Sequence, residues 1–400
     1  MGKSDRLGVV VIGINGAVSS TLVAATKMMV KGLVARRGML TEPSADGATG
    51  GLHEKVDFPT LDNMVFAGWD IRRDNMYNAV QRHGVFRKDQ LEEIKGDLES
   101  MVSWPAIFDK EYAKNLDGEH LTLGTHREQI DAVCKHIEVF KSENNLDRVV
   151  MVNLASTEKW MEPVSAYETL AGFEEAVDRN DMCISPTMRY FYAANKMGVP
   201  HVNFAPSLAN IPALIEHSDK CKNPYAGMDG KTGQTLVKTA LASMFRVRRL
   251  HIEGWYSTNF LGNNDGLVLD SPDSNKTKVM SKQSVLDSIV GYKVENHQVH
   301  IHYYKPRGDA KEAWDNIDLL GFADIPMQMK VNFLCQDSAL AAPLVMDLVR
   351  LLDLAKVRGE AGPQQQLSLF FKSPYTRDGK PVHDLFEQER MLNGWVEKGN

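Results

Sequence analysis

Residues Val9–Thr21 read VVVIGINGAVSST. Four consecutive β-branched residues make a short buried strand, a glycine turn follows, and small residues then open a helix. Strand, glycine turn and helix in that order begin a dinucleotide-binding unit, where a pyrophosphate rests on backbone N–H groups at the helix N-terminus. The G-x-G-x-x-G spacing is only partly met. Counted from Gly13, the second and third glycine positions hold Asn15 and Val18. Gly13 is expected to make the tight turn and Gly16 the close approach to phosphate. Asn15 tolerates the left-handed region better than most non-glycine residues. Ser19 is small enough for helix and strand to approach, and its hydroxyl is a candidate phosphate contact. Asp70 ends the next strand, where a carboxylate binds a ribose hydroxyl and disfavours a 2′-phosphate. Gly16 and Asp70 lie much farther apart than the usual ~20 residues, so an insertion separates them. Taken alone, the same stretch also reads as a ligand-free turn between strand and helix.

Working outward, the strands alternate with helices. Leu7–Ile12, Asn63–Phe66, Arg148–Leu154 and His201–Asn203 read as strands. Ser19–Val30, Tyr77–Arg82, Lys88–Met101, Gln129–Glu143 and Ser185–Met197 read as helices. Gly32–His53 is a long loop. That rhythm predicts an α/β fold, a Rossmann-like doubly wound parallel sheet. After about Gln234 it changes. Val247–Ser257, Gln298–Tyr304 and Gln328–Leu334 alternate like half-buried strands, which predicts an inserted α+β part with an open sheet. Ala339–Leu354 is a strongly apolar helix. The expected division is residues 1–234, 235–340 and 341–400, the last returning to the first.

At 400 residues the chain is long enough for two domains or one with a large insertion. A net charge of −6 without long like-charged blocks offers no footprint for nucleic acid. The four cysteines, Cys134, Cys183, Cys221 and Cys335, are widely spaced and form no C-x-x-C pair. They read as buried thiols in a reducing compartment rather than as a disulfide or metal framework. Leu7–Thr26 is uncharged and follows Lys3 and Arg6, as in a signal peptide. Its interruptions at Gly13, Asn15, Gly16 and Ser19–Thr21 fit strand, turn and helix better. Gly2 lacks a myristoylation pattern because Arg6 stands where Ser or Thr is needed. The reading is a cytoplasmic chain with no membrane segment.

Polar turns carrying lysine, aspartate and asparagine recur through the second half. They are GMDGKTGQT (227–235), LGNNDG (261–266), TKVMSK (277–282), KPRGDAK (305–311), QDS (336–338) and FKSP (371–374). Singly, LGNNDG is a turn, each lysine a solvated surface group, and Asp337 an N-cap.

Jointly, and in this order, with GWDI (68–71) and QDSALAAP (336–343), these motifs resemble the myo-inositol-phosphate synthase (inositol-3-phosphate synthase) family. The resemblance runs from the glycine loop to about Arg377. It implies tightly held NAD and conversion of D-glucose 6-phosphate to 1D-myo-inositol 3-phosphate. The steps are oxidation at C5, enolisation, intramolecular aldol closure and reduction, with no net redox change. It implies a homotetramer; no residue is assigned to a metal, and the sequence leaves a requirement for a monovalent or divalent cation open. Negative charge develops on oxygen in such chemistry, and ammonium groups in a water-poor site stabilise it and move protons. By the same resemblance Lys278, Lys282, Lys311 and Lys372 are catalytic, with Asp229 and Asp337 orienting them and contacting the cofactor. Asn263, Asn264, Asp265, Gly266, Lys231 and Thr232 bind the phosphosugar. Gly13, Ile14, Asn15, Gly16, Ala17, Ser19, Asp70, Ser156 and Thr157 bind NAD. The chain departs from the family's common pattern where Asn15 and Ser19 replace glycines, Thr232 replaces serine and Met228 replaces an acidic residue. His302, where many members have a basic residue, is a candidate acid/base or a packed strand histidine. Two alternatives stand beside this reading: a dehydrogenase or cyclase of a related phosphosugar, and a non-catalytic NAD-binding regulator.

Overall fold

The computed structural model describes residue 2 and residues 4–262, 285–377 and 379–398. β1 (Leu7–Ile12) is buried at all six positions and pairs in parallel with two neighbours. A strand covered on both faces and both edges tolerates only apolar side chains, hence the unbroken LGVVVI run. Its neighbours are β2 (Met64–Asp70) and β4 (Arg148–Asn153), with β3 (Trp104–Pro105) beyond β2. β5 (His201–Asn203), β6 (Pro224–Gly227) and β11 (Gly362–Pro363) complete a parallel sheet in the order β11-β6-β5-β4-β1-β2-β3. Strand order reverses between β1 and β4. A crevice opens there at the carboxyl ends of the strands, the usual ligand position in doubly wound sheets.

α1 (Ala17–Val30) and the helix Asp337–Val357 pack together against one face of this sheet. Helices His126–Glu143 and Pro186–Lys196 lie in the core on the other face. The C-terminal part of the chain therefore returns to the first sheet, as β11 and the helix Asp337–Val357.

A second sheet, β10-β9-β7-β8, is formed by β7 (His251–Leu261), β8 (Asn296–Tyr303), β9 (Ala310–Leu320) and β10 (Pro326–Gln336). β7 runs parallel to β8 and antiparallel to β9. Helix Gly233–Arg248 covers one face, with Phe245 and Trp255 at the centre of a separate core. Several elements differ from the sequence reading. β9 and the helix Gly233–Arg248 are hidden in the sequence, because polar residues of both face a buried network instead of solvent. Gln234 donates to Asp315, and Trp255 Nε1 and Ser257 Oγ donate to the same carboxylate at 2.7 and 2.6 Å. The expected strand from Val247 begins only at His251, since the helix runs to Arg248 and ends on a left-handed Arg249. Lys88–Met101 is two short helices, Lys88–Glu92 and Lys95–Glu99, not one.

The long loop after α1 is held by the helix Asp337–Val357. Asp347 accepts the N–H groups of Leu40 and Thr41 at 2.9 and 3.0 Å. Arg350 is 1% exposed and donates to Glu42 at 2.6 Å and to the Pro59 carbonyl at 2.7 Å. A guanidinium so deeply buried is tolerable only because its acceptors are fixed. Replacing Arg350 with Leu should lower the unfolding free energy by about 3 kcal/mol, because the buried Glu42 carboxylate loses a counter-charge. Urea denaturation measures this; a loss below about 1 kcal/mol would mean that the network does not hold the loop.

Candidate active site

Two adjoining cavities open at the switch point, with about 1000 and 1010 Å³ of atom-free space when the open solvent at their mouths is included. Both are lined by Gly16, His83, Leu154, Ala155 and Ser156. The first extends past Gly13, Asn15 and Asp70 to an apolar wall that includes Ile71, Ile107 and Leu116. The second extends past Ala17, Val18 and Thr157 to Asp229, Thr232, Lys311, Asp337 and Lys372.

The glycine turn is built from the backbone outward. Gly13 has φ +82°, and a Cβ there would lie 3.1 Å from the Ala155 backbone, so conformation and space both demand glycine. Asn15 does not take the left-handed conformation considered for it; the positive φ of this turn is at Gly13. Its side chain is buried and donates to the Arg72 carbonyl and Ser103 Oγ, both at 3.2 Å. Asn15 therefore staples the turn to the chain following β2. Ser19 also differs from expectation. Its buried hydroxyl donates to the Gly13 carbonyl at 2.7 Å and does not line either cavity. Ile14 is a core residue, 3% exposed, and its side chain is likewise absent from both linings. Asp70 accepts the Asn15 N–H through Oδ2 at 2.9 Å and the Arg72 N–H through Oδ1 at 3.0 Å. Burial pushes its carboxyl above the ordinary range, and those two N–H groups oppose the shift.

These residues fit a dinucleotide. α1 begins at Ala17, and its first helical bond back to the turn is Ser20 N–H to the Gly16 carbonyl at 3.0 Å. Its leading N–H groups thus point at the shared part of the two cavities. The apolar wall of the first cavity suits a flat ring, and Asp70 lies at its edge.

The second cavity gathers ions from four chain segments. After β6 the chain turns through Asp229, at φ +60°, to Thr232, the N-cap of helix Gly233–Arg248. Residues 371–375 run back alongside it. Lys372 N–H donates to the Asp229 carbonyl at 2.7 Å, Met228 N–H to the Ser373 carbonyl at 2.8 Å, and Tyr375 N–H to the Gly227 carbonyl at 2.6 Å. A Cβ at Gly230 would fall 2.0 Å from the Phe204 ring, which explains glycine in that turn. The pairing brings the Lys372 ammonium to 2.6 Å from Asp229 Oδ1, with side-chain exposures of only 7% and 6%. Asp229 Oδ2 is buried and has no partner among the described residues. Lys311, at the start of β9, is 3.4 Å from Asp337 Oδ1, and Thr232 Oγ1 donates to the same oxygen at 3.3 Å. Asp337 is the first residue of its helix rather than the N-cap. Asp309 takes the capping work, accepting Ser338 N–H and Oγ–H at 3.2 and 2.7 Å. The Asp337 side chain is thereby left to Lys311 and Thr232.

Lys231 is not brought to this group. The residue is 3% exposed, and its ammonium donates to Gln388 of helix Leu385–Glu397, outside both cavity linings. Burial pushes it down to about 7. His302 is on the outer face of the second sheet, stacked on Phe260 at 5.6 Å. Asn263, Asn264, Asp265, Gly266, Lys278 and Lys282 lie outside the described residues. Arg82, His83 and Glu158 line the cavities without having been singled out in the sequence. Arg82 and His83 precede Gly84 at a helix C-terminus, where basic residues ordinarily serve the helix dipole. Nothing in the sequence marks them further. Glu158 accepts the Thr187 N–H and hydroxyl at 2.9 and 2.8 Å.

The family model described as myo-inositol-1-phosphate synthase, an NAD-binding family, matches residues 7–397. An inositol-3-phosphate synthase of Bacteroides thetaiotaomicron is 43% identical over 97% of this chain and 94% of its own length. An isozyme of Arabidopsis thaliana is 30% identical over 98% of this chain and 84% of its own. The crystal structure of inositol-3-phosphate synthase from Caenorhabditis elegans superposes with a TM-score of 0.89 at 26% identity, covering 99% of this chain and 86% of that one. With nearly its whole length matched in sequence and in fold, the chain belongs to the myo-inositol-1-phosphate synthase family.

Proposed function

We propose that the protein converts D-glucose 6-phosphate to 1D-myo-inositol 3-phosphate, as an isomerase that holds NAD in the first cavity and the phosphosugar in the second. The observation that carries this is the buried Lys372–Asp229 pair facing the same cavity as Lys311, Asp337 and the α1 N-terminus. Bound NAD supplies a reversible hydride acceptor, so oxidation and reduction can cancel within one turnover.

The chain's own residues supply the rest. Asp70 and the open N–H groups of α1 orient the dinucleotide through a ribose hydroxyl and the diphosphate. The Lys372 ammonium stabilises negative charge on a substrate oxygen, and Asp229 fixes its direction. Lys311, held by Asp337, offers a second ammonium for an oxygen or for the phosphate, and Thr232 a hydroxyl. Ser156 and Thr157 border the cofactor from the β4 end. Lys278, Lys282 and the Asn263–Gly266 stretch complete the sugar site on the strength of the family resemblance. Residues 235–340 supply Lys311 and Asp337 to the site and form the oligomerisation unit, while Asp229, Thr232 and Lys372 come from the parts on either side. The outward face of the second sheet shows Tyr256, Trp314 and Leu334 at 49, 48 and 58% exposure. That aromatic face supports a homotetramer built through this sheet. Among the described residues no helix is long and apolar enough to cross a membrane, in keeping with a cytoplasmic enzyme.

Purified protein given D-glucose 6-phosphate and NAD should form inositol phosphate with no accumulation of NADH. Steady NADH release would instead indicate a net dehydrogenase. Lys372→Met keeps the aliphatic stem and removes the ammonium. It should lower kcat by about a thousandfold or more while NAD affinity stays within about twofold. Calorimetric NAD binding beside product analysis separates the two; near-normal turnover would remove Lys372 from the chemistry.

A further inference from the structure

A dinucleotide diphosphate carries two negative charges and needs donors to receive them. In this chain the turn itself has none to spare. Gly13 and Ile14 both donate their N–H groups to the Trp69 carbonyl, at 2.8 and 3.1 Å. Asn15 N–H is taken by Asp70 at 2.9 Å, and Gly16 N–H by the Gly13 carbonyl at 3.0 Å. The Ser19 hydroxyl is likewise spent on Gly13. What remains is the start of α1, the N–H groups of Ala17, Val18 and Ser19.

A guanidinium and an imidazole are moored beside that helix start. His83 Nε2 lies 3.0 Å from the Asn15 carbonyl and Arg82 Nη2 lies 3.3 Å from it, while Arg82 Nη1 reaches Asp74 at 2.6 Å. A carbonyl only accepts, so Nε2 carries the hydrogen and Nδ1 is the nitrogen that can gain or lose a proton. His83 lines both cavities, at the junction where Gly16 also stands, and Arg82 lines the first.

We propose that Arg82 and His83 form the cationic wall of the diphosphate cradle, and that His83 takes up a proton on Nδ1 when the diphosphate seats. This rests on the dinucleotide reading above. The charged groups around the ring are Arg82 beside it, Asp70 at the end of β2 and Asp309 before β9, with Glu158 across the first cavity and the Lys311–Asp337 and Lys372–Asp229 pairs across the second. Burial, the largest influence, holds the free imidazole below its ordinary value, so the empty site carries it neutral at pH 7. An anion at the α1 N-terminus favours the charged form. Affinity for NAD must therefore strengthen as pH falls from the bound-state value of His83 toward its free-state value, and level off below that.

The test is NAD binding by isothermal titration calorimetry on the full-length protein between pH 6.0 and 8.5, in paired buffers of different ionisation enthalpy. Wild type should bind severalfold more tightly at the acid end, with about tenfold, the equivalent of about one pK unit of preferential stabilisation, as the limit reached below the free-state value, and should take up a fraction of a proton. His83→Gln retains a donor for the Asn15 carbonyl but cannot be charged. It should show a flat profile and no uptake. Arg82→Gln should weaken binding at every pH and keep the slope. Parallel wild-type and His83→Gln profiles with the same affinity would overturn the proposal while leaving the dinucleotide reading intact. Failure of wild type to bind NAD at all would remove that reading and the proposal with it. Should His83→Gln not fold, wild type alone decides, because zero proton uptake contradicts the assignment.

Discussion

The proposed chemistry depends on an ion pair made by two backbone segments 143 residues apart. Lys372 and Asp229 meet at 2.6 Å because residues 371–375 hydrogen-bond alongside the loop after β6. An ammonium and a carboxylate are tolerated in so dry a place only while the two remain in register. The backbone pairing secures that register. It also explains why the C-terminal part of the chain must come back to the first sheet: β11 adds to β6 just before the strand-like run that presents Lys372.

The second ionic pair comes from the other sheet. Lys311 stands at the start of β9 and Asp337 just past the end of β10, and the two strands are in antiparallel register from Ala310 opposite Gln336 onward. The pair is longer, 3.4 Å, and more accessible than Lys372–Asp229. One cation is thus fixed and buried, while the other has room to follow a ligand. Both face the start of α1, so a helix N-terminus and two ammonium groups favour anions within one crevice. That combination suits a phosphorylated sugar beside a dinucleotide, and the family to which the chain belongs gives the sugar its identity.

The parallel sheet was legible because β1 and β4 are buried on both faces and their sequences record it as apolar runs, LGVVVI and VVMV. The second sheet was legible only where one face meets solvent, as in β8 and β10. β9 and the helix Gly233–Arg248 escaped because, beside their apolar contacts, polar residues of both enter a buried network around Asp315, whose composition looks like a turn or a surface. Among the candidate site residues, Asp229, Thr232, Lys311, Asp337 and Lys372 share one cavity, and order along the chain pointed to them jointly where no single residue did. Lys231 matched the motif yet faces Gln388, because adjacent residues in an extended loop point to opposite sides. Arg82 and His83 lay in plain view as helix-terminal basic residues; only the folded turn, with its N–H groups already used, gives them a ligand to face.

The most direct measurement of the central claim is a crystal structure of the protein with NAD and a non-reactive analogue of glucose 6-phosphate. The diphosphate should lie on the Ala17 and Val18 N–H groups. The sugar should lie in the second cavity, with an oxygen within about 3.5 Å of Lys372 Nζ. A phosphosugar bound elsewhere, with Lys372 and Asp229 still paired in an empty cavity, would contradict the account.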